Sequence, residues 1–196
     1  MNHSISKKNI LIFIPAYNVE KKIYSVISRI PKEIFLKNSI DLLIINDFSS
    51  DETSSEIEKI NNDFDYNIKV YNTKKNLGYG GVQKYAFKYG IKNSYEYLIM
   101  LHGDGQYAPE QLPNFIEKFY DKKFDAIFGS RMKSYKSALK GGMPFYKFLG
   151  NIGLTFIQNI ILGSNISEFH SGYRTFKVDS LKKIEFKNKA NYYHFD

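Results

Sequence analysis

Cysteine is absent from the 196 residues of this chain. The absence excludes disulfides, a cysteine nucleophile and a thiolate metal site, so any metal must be held by oxygen or imidazole ligands. Long apolar runs are also missing. The most apolar stretch, 144–162, is interrupted by Lys147, Asn151, Gln158 and Asn159, and therefore lacks the roughly 18 uninterrupted apolar residues of a membrane span. The N-terminus lacks the apolar core of a signal peptide, so we expect a cytoplasmic protein.

Acidic residues are scarce relative to basic ones, with 20 Asp and Glu against 28 Lys and Arg and a net charge of +8. This excess of positive charge indicates an anionic partner. The partner could be nucleic acid, lipid headgroups or a phosphorylated substrate, and charge alone does not distinguish them. No helix-turn-helix, RNA-recognition or zinc pattern appears, so we expect no nucleic acid partner. The length and a hydrophobic fraction of 43% predict one globular domain over 1–196.

Short β-rich runs alternate with segments of helical spacing. The predicted strands are 10–14, 41–45, 68–71, 97–101 and 125–129, and the predicted helices lie around 23–30, 57–64, 82–89 and 112–119. This order predicts an α/β fold with a mostly parallel sheet flanked by helices. Ligands of such sheets bind at the carboxyl ends of the strands, so the loops after the strands are the candidate sites.

The most informative loop follows the fourth strand and reads Leu-His-Gly-Asp-Gly-Gln-Tyr over 101–107. Asp104 and Gln106 place a carboxylate and an amide oxygen two residues apart, where they can share one hard divalent cation whose other ligands are diphosphate oxygens. The pattern predicts Mg²⁺ or Mn²⁺ at a nucleoside diphosphate site. An ordinary Asp-Gly turn before a helix is the alternative interpretation.

Two further loops carry candidate nucleotide ligands. Asp47 follows the second strand and can accept hydrogen bonds from a base or a ribose, although helix capping is an alternative role for it. Gly78 and Gly80 lie at a predicted helix entrance, where backbone amides favour an anion. A simple turn accounts for these glycines equally well.

A basic stretch leads into the apolar segment. Seven basic residues against one acidic residue lie within 122–147. Among them Arg131, at the end of the fifth strand, is best placed to bind a phosphate bidentately. The apolar side chains that follow, between Phe145 and Ile161, suit an interfacial helix on anionic lipid or a contact with further chain.

Taken together, these loops resemble the family 2 glycosyltransferases of the GT-A fold, particularly the dolichyl- and polyprenyl-phosphate sugar synthases. The resemblance covers about 10–196 through five motifs in order: Ile-Pro-Ala-Tyr-Asn (14–18), Asn-Asp-Phe-Ser-Ser-Asp (46–51), His-Gly-Asp-Gly-Gln (102–106), Gly-Ser-Arg (129–131) and Ser-Gly-Tyr-Arg (171–174). Two family aspartates are replaced, by Asn46 and His102. Because the family often continues past a Phe-Asp pair like Phe195-Asp196, we expect a protein truncated at its C-terminus.

The resemblance implies a GT-A fold and a set of site residues. The nucleotide-sugar site would contain Pro15, Ala16, Tyr17, Glu20, Asp47, Gly78, Gly80, His102 and Asp104. The metal would be held by Asp104 and Gln106, and the catalytic residues would be Asp104, Arg131 and Arg174. His102 would be an outer donor near the metal or an additional ligand.

The function expected from this resemblance is inverting, metal-assisted transfer of a sugar from a UDP- or GDP-linked donor. The acceptor would be a polyprenyl phosphate or a cell-envelope glycan at the inner face of the membrane, which implies peripheral membrane contact. One alternative is a degenerate domain that binds nucleotide sugar or lipid without turnover. Another is a sugar-nucleotide pyrophosphorylase, although the glycine- and arginine-rich loop of such enzymes is missing after the first strand. The sequence leaves the oligomeric state open.

Overall fold

The computed structural model describes residues 7–121, 124–130, 145–169 and 171–191. These residues form two compact units. One lies within Met1–Ile127 and Thr175–Asp196, and the other within Phe128–Arg174. The prediction of one domain over 1–196 stays a prediction.

Six strands form one sheet. They are β1 (Asn9–Ala16), β2 (Ser39–Asn46), β3 (Ile68–Asn72), β4 (Tyr97–Met100), β5 (Ala126–Phe128) and β6 (Arg174–Lys177). Their order across the sheet is β3-β2-β1-β4-β6-β5. The pairs β1–β2, β1–β4 and β2–β3 are parallel. Strands β5 and β6 run in opposite directions, because the Gly129 amide bonds the Tyr173 carbonyl while the Lys177 amide bonds the Asp125 carbonyl.

The described helices lie between these strands along the chain, except the last helix, which follows β6. They are α1 (Ile23–Ser28), α2 (Glu33–Lys37), α3 (Thr53–Asp63), α4 (Gly78–Lys92), α5 (Leu112–Lys118), α6 (Phe145–Leu162) and α7 (Val178–Leu181), with single 3₁₀ turns at Pro109–Gln111 and Phe119–Asp121. Helix α4 packs its apolar side on the sheet. Gly90 lies so close to the sheet that an added Cβ would meet a Leu98 methyl at 2.6 Å. Among the described residues, no helix is long and apolar enough to cross a membrane.

The core explains why β1, β2 and β4 occupy the centre of the sheet. Their side chains form nearly continuous apolar runs, and those of Leu11, Phe13, Leu98 and Met100 are fully buried. Strands covered on both faces need such runs, whereas half-exposed strands show alternation. The predicted fold class, a mostly parallel α/β sheet flanked by helices, is confirmed. The sheet brings the loops that follow β1, β2 and β4 to one edge.

Candidate active site

The carboxyl ends of β1, β2 and β4 border an open cleft of about 320 Å³. Seven of the nine residues predicted for the nucleotide-sugar site line it: Pro15, Ala16, Tyr17, Asp47, Gly78, His102 and Asp104. The cleft lies entirely within the first compact unit. Parallel strands explain the clustering, since each strand delivers its following loop to the same edge of the sheet.

Asp47 is buried at the floor of the cleft and bonds to the start of α4. Its Oδ1 accepts hydrogen bonds from the Leu77 amide at 2.7 Å and the Thr73 hydroxyl at 3.2 Å. Its Oδ2 accepts from the Gly78 amide at 3.0 Å. The carboxylate therefore stabilises the N-terminus of α4, both by its negative charge and by its hydrogen bonds to the backbone amides. Capping was the alternative role for Asp47 from sequence, and the capped helix is α4, thirty residues further along the chain.

Asn46, which stands where the resembling family has an aspartate, uses both ends of its amide. Its Nδ2 donates to Ser54 Oγ at 2.9 Å and to Asn72 Oδ1 at 3.0 Å. Its Oδ1 accepts from the Ser49 amide at 3.2 Å. An aspartate at this position would have no donor for these two contacts. The replacement therefore fits the local hydrogen bonds, which hold β2, β3 and α3 together beside the cleft.

The loops after β1 and β2 are bonded to each other. Asn18, at a φ of 51°, accepts from the Ser50 amide at 2.9 Å through its side-chain oxygen. The Val19 amide donates to Thr53 Oγ1 at 2.8 Å. Glu20 Oε2 accepts from the Glu52 amide at 2.9 Å. The Glu20 side chain thus lies at the start of α3, and it is not among the residues that line the cleft.

Asp51 strengthens the same loop contact. Its Oδ2 accepts from the Glu20 amide at 3.1 Å, and its Oδ1 accepts from the Thr53 amide and hydroxyl at 3.1 and 2.6 Å. Burial raises the pKa of this carboxyl, but the hydrogen bonds outweigh burial, so the pKa of Asp51 lies below its ordinary value. The ionised carboxylate therefore favours the arrangement of both loops at neutral pH.

Aromatic rings line the cleft beside the predicted metal ligands. The His102 ring stacks on Tyr79 with a centroid separation of 5.9 Å and contacts Tyr107 at 5.2 Å. His102 thus contacts one tyrosine that lines the cleft, Tyr79, and a second, Tyr107, that is buried behind the lining. Tyr17, on the loop after β1, also lines the cleft and is 53% exposed. Neither tyrosine beside His102 was singled out from sequence, because aromatic residues near a helix start or a turn usually belong to the core.

Asp104 lies on the cleft and forms a tight turn. Its Oδ1 accepts from the Gln106 amide at 3.0 Å, and Gly105 between them has a φ of +75°. Gln106 is exposed and lies outside the cleft lining. Among the described residues, no three His, Asp or Glu side chains are grouped as a metal site. One carboxylate with one amide oxygen fits a cation whose remaining ligands come from a diphosphate.

The glycines at the entrance of α4 are already bonded to the protein. The Gly78 amide bonds Asp47, and the Gly80 amide donates to the Asn191 carbonyl at 2.9 Å. Lys84, one turn later, donates to the Asn191 side chain at 2.8 Å. A phosphate would have to replace these partners to bind both amides. The contact with Asn191 was not predicted, because nothing in the local sequence links it to α4.

The two predicted catalytic arginines are placed differently. Arg174, in the second unit, is buried, and its Nε donates to the Ser171 carbonyl at 2.6 Å while its Nη2 donates to the Phe169 carbonyl at 3.4 Å. Its guanidinium also lies 5.6 Å from the centre of the Phe128 ring. These contacts fix its orientation. Arg131 lies outside the described residues.

The family model for glycosyl transferase family 2 matches residues 11–185. The chain belongs to this family. The predicted family, its GT-A fold and the enzyme class of glycosyltransferase are therefore confirmed.

Two curated relatives of this glycosyltransferase carry specific names. A UDP-N-acetylglucosamine–dolichyl-phosphate N-acetylglucosaminyltransferase of Methanococcus voltae is 28% identical over 96% of this chain and 77% of its own length. An undecaprenyl-phosphate mannosyltransferase of Micrococcus luteus is 26% identical over 90% of this chain and 69% of its own length. Their names confirm that this glycosyltransferase resembles the polyprenyl-phosphate branch.

A solved structure shares the fold of this glycosyltransferase. Glucosyl-3-phosphoglycerate synthase of Mycobacterium tuberculosis, in complex with Mn²⁺, UDP and phosphoglyceric acid, superposes with a TM-score of 0.55 at 13% identity. The match covers 88% of this chain and 56% of that one. At this identity the likeness shows the fold alone.

Proposed function

We propose that this glycosyltransferase moves a sugar from a nucleoside diphosphate sugar to a polyprenyl phosphate. The observation that carries the proposal is the cleft, where seven residues predicted for a nucleotide-sugar site meet at one sheet edge. The names of the two curated relatives, which include dolichyl phosphate and undecaprenyl phosphate, support the acceptor class. The proposal includes both UDP- and GDP-linked donors.

In this proposal the nucleoside lies between the loops after β1 and β2. Tyr17 offers a ring face for the base. Asp47 accepts hydrogen bonds from the base or ribose, using lone pairs beyond its bonds to Leu77 and Gly78. A carboxylate has about four acceptor sites, so ligand binding does not require Asp47 to leave α4. The base would thus be read by a carboxylate whose position is fixed before binding.

The diphosphate would lie toward the loop after β4, beside Asp104 and His102. Asp104 and Gln106 would hold Mg²⁺ or Mn²⁺ there. The bound cation supplies charge compensation for the leaving diphosphate. Asp104 Oδ1 is oriented by the Gln106 amide. This hydrogen bond fixes the orientation of the carboxylate at the cleft.

The transfer is a single in-line displacement. An oxygen of the acceptor phosphate forms a bond to the anomeric carbon, while the bond from that carbon to the donor diphosphate breaks and its electron pair leaves with the nucleoside diphosphate. The configuration at the anomeric carbon is inverted. A phosphate oxygen is already ionised at neutral pH, so no general base is required. The assignment of Arg131 and Arg174 to phosphate contacts comes from the family resemblance and stays a prediction.

The test is transfer of radiolabelled sugar from UDP- and GDP-linked donors to undecaprenyl phosphate, extracted into butanol. The expected result is a lipid-linked product that requires divalent cation and is lost in Asp104→Ala. Glu117→Ala, at an exposed position of α5, is the matched control and should retain activity. Nucleotide binding without transfer or hydrolysis of any donor would support instead a degenerate binding domain, the alternative motivated by Asn46 and His102.

A further inference from the structure

Residues 186–191, which we call the strap, run beside α4 toward the N-terminus of that helix. The Phe186 ring is buried and meets the Phe87 ring edge-on, with the two ring centroids 5.4 Å apart. About two turns closer to the start of the helix, the Gly80 amide donates to the Asn191 carbonyl at 2.9 Å. The strap therefore contacts α4 at both of its own ends.

Lys84 joins the strap to α4 between these two contacts. Its side chain is buried, and its ammonium donates to the Lys189 carbonyl and, at 2.8 Å, to Asn191 Oδ1. Gly78 leaves room for the strap, since an added Cβ would lie 3.1 Å from the Asn191 carbonyl oxygen. A buried ammonium that loses its acceptors costs free energy. Lys84 therefore favours the arrangement in which the strap is docked on the helix.

The first turn of α4, which the strap contacts, also forms part of the cleft. Gly78, Tyr79 and Val82 line the cleft. The Leu77 and Gly78 amides donate to the buried carboxylate of Asp47. The turn that holds Asp47 is therefore the turn on which the strap is docked, and a shift of this turn would move both the carboxylate and the wall of the cleft.

We propose that Lys84 and Asn191 are positioning residues for the nucleotide. By holding the strap on α4, they keep the first turn of the helix in the conformation that bonds Asp47 and shapes the cleft. The inference rests on the proposed function for the identity of the ligand. Neither residue is among those that line the cleft, so both act through the helix turn. Such coupling is reciprocal, so a bound nucleotide should stabilise the docked strap by the factor by which the strap raises nucleotide affinity.

The first experiment is amide hydrogen exchange, measured by NMR without nucleotide. Lys84→Met and Asn191→Ala should each lower the protection of the Leu77 and Gly78 amides at least about tenfold, while the central strands keep their protection. Asn191→Asp keeps an acceptor for Lys84 and adds an opposite charge, so it should retain the protection of both amides. The matched control is Lys88→Met, which removes the same charge from an exposed position of α4 and should behave as the wild type.

The second experiment is isothermal titration of UDP and of GDP with Mn²⁺ on the same variants. Lys84→Met and Asn191→Ala should weaken nucleotide binding at least about fivefold, and Asn191→Asp and Lys88→Met less than about twofold. Equal affinity of the wild type and Lys84→Met would overturn this inference and leave the proposed function standing. Absence of nucleotide binding by the wild type would overturn both. A loss of exchange protection spread evenly over the sheet would also overturn the inference, because it would show a general loss of stability.

Discussion

Replacement of Asp47 should lower the unfolding free energy more than replacement of an exposed surface carboxylate, because Asp47 bonds to the start of α4. In Asp47→Ala, the Leu77 amide loses an acceptor at 2.7 Å. The Gly78 amide keeps Asn76 Oδ1 at 3.0 Å, and the Thr73 hydroxyl can rotate. The Leu77 amide is then left without this acceptor, and the Gly78 amide keeps one of its two acceptors. Because hydrogen bonds to a charged acceptor contribute about 1.5–3 kcal/mol each, the variant should lose about 2–3 kcal/mol of unfolding free energy.

Asp47→Asn should cost less, about 1 kcal/mol, because the remaining oxygen can still accept from Leu77 and only the contact with Gly78 is lost. The assay is urea denaturation followed by circular dichroism, with stability obtained by linear extrapolation. Glu117→Ala, on the exposed side of α5, should stay within about 0.5 kcal/mol of the wild type. Equal losses for alanine and asparagine, or a loss in Asp47→Ala no greater than in the control, would refute the capping role.

Two further predictions concern stability away from the cleft. Gly90→Ala places a Cβ 2.6 Å from a buried Leu98 methyl, so the variant should lose about 1–3 kcal/mol of unfolding free energy, measured by urea denaturation. The control Gly153→Ala, with nothing within 4 Å of its Cβ, should be neutral or stabilise α6 slightly. The Arg29 guanidinium lowers the pKa of Glu110, so the pair favours the folded state above the unfolded pKa of the glutamate. The advantage of the wild type over Arg29→Gln should be less than about 1 kcal/mol at neutral pH for this half-exposed pair. The advantage should be lost as the pH falls through the lowered pKa of Glu110, and an advantage that does not decrease on acidification would contradict the prediction.

The sequence predicts the centre of the fold well because its central strands are buried on both faces. The predicted strands 10–14 and 97–101 correspond to β1 and β4, within one or two residues at their ends. Strand β6 was missed, since Arg174–Lys177 is four residues long with a basic residue at each end. Helix α2 was missed for a similar reason, because five residues give no helical period.

The candidate site was predictable where loops follow strands and less so where contacts are long-range. Asp47 and Asp104 were found because each follows a buried strand closely. The glycines of α4 were interpreted as an anion site, but the partner of the Gly80 amide is Asn191, more than a hundred residues away. Local patterns carry no information about such a contact. The position of Glu20 at the start of α3, outside the cleft, was not predictable for the same reason. Its hydrogen-bond partner, the Glu52 amide, lies on another loop.

The central claim is that a nucleoside diphosphate binds in the cleft through a cation held by Asp104. Isothermal titration of UDP and of GDP, with Mn²⁺ and then with EDTA, measures this directly on the wild type, Asp104→Asn and the control Glu117→Gln. The asparagine keeps an oxygen for the Gln106 amide but removes the charge. We predict metal-dependent binding of at least one nucleotide, weakened by at least about tenfold in Asp104→Asn and unchanged in the control. Equal affinity of the wild type and Asp104→Asn in the presence of Mn²⁺ would contradict the account.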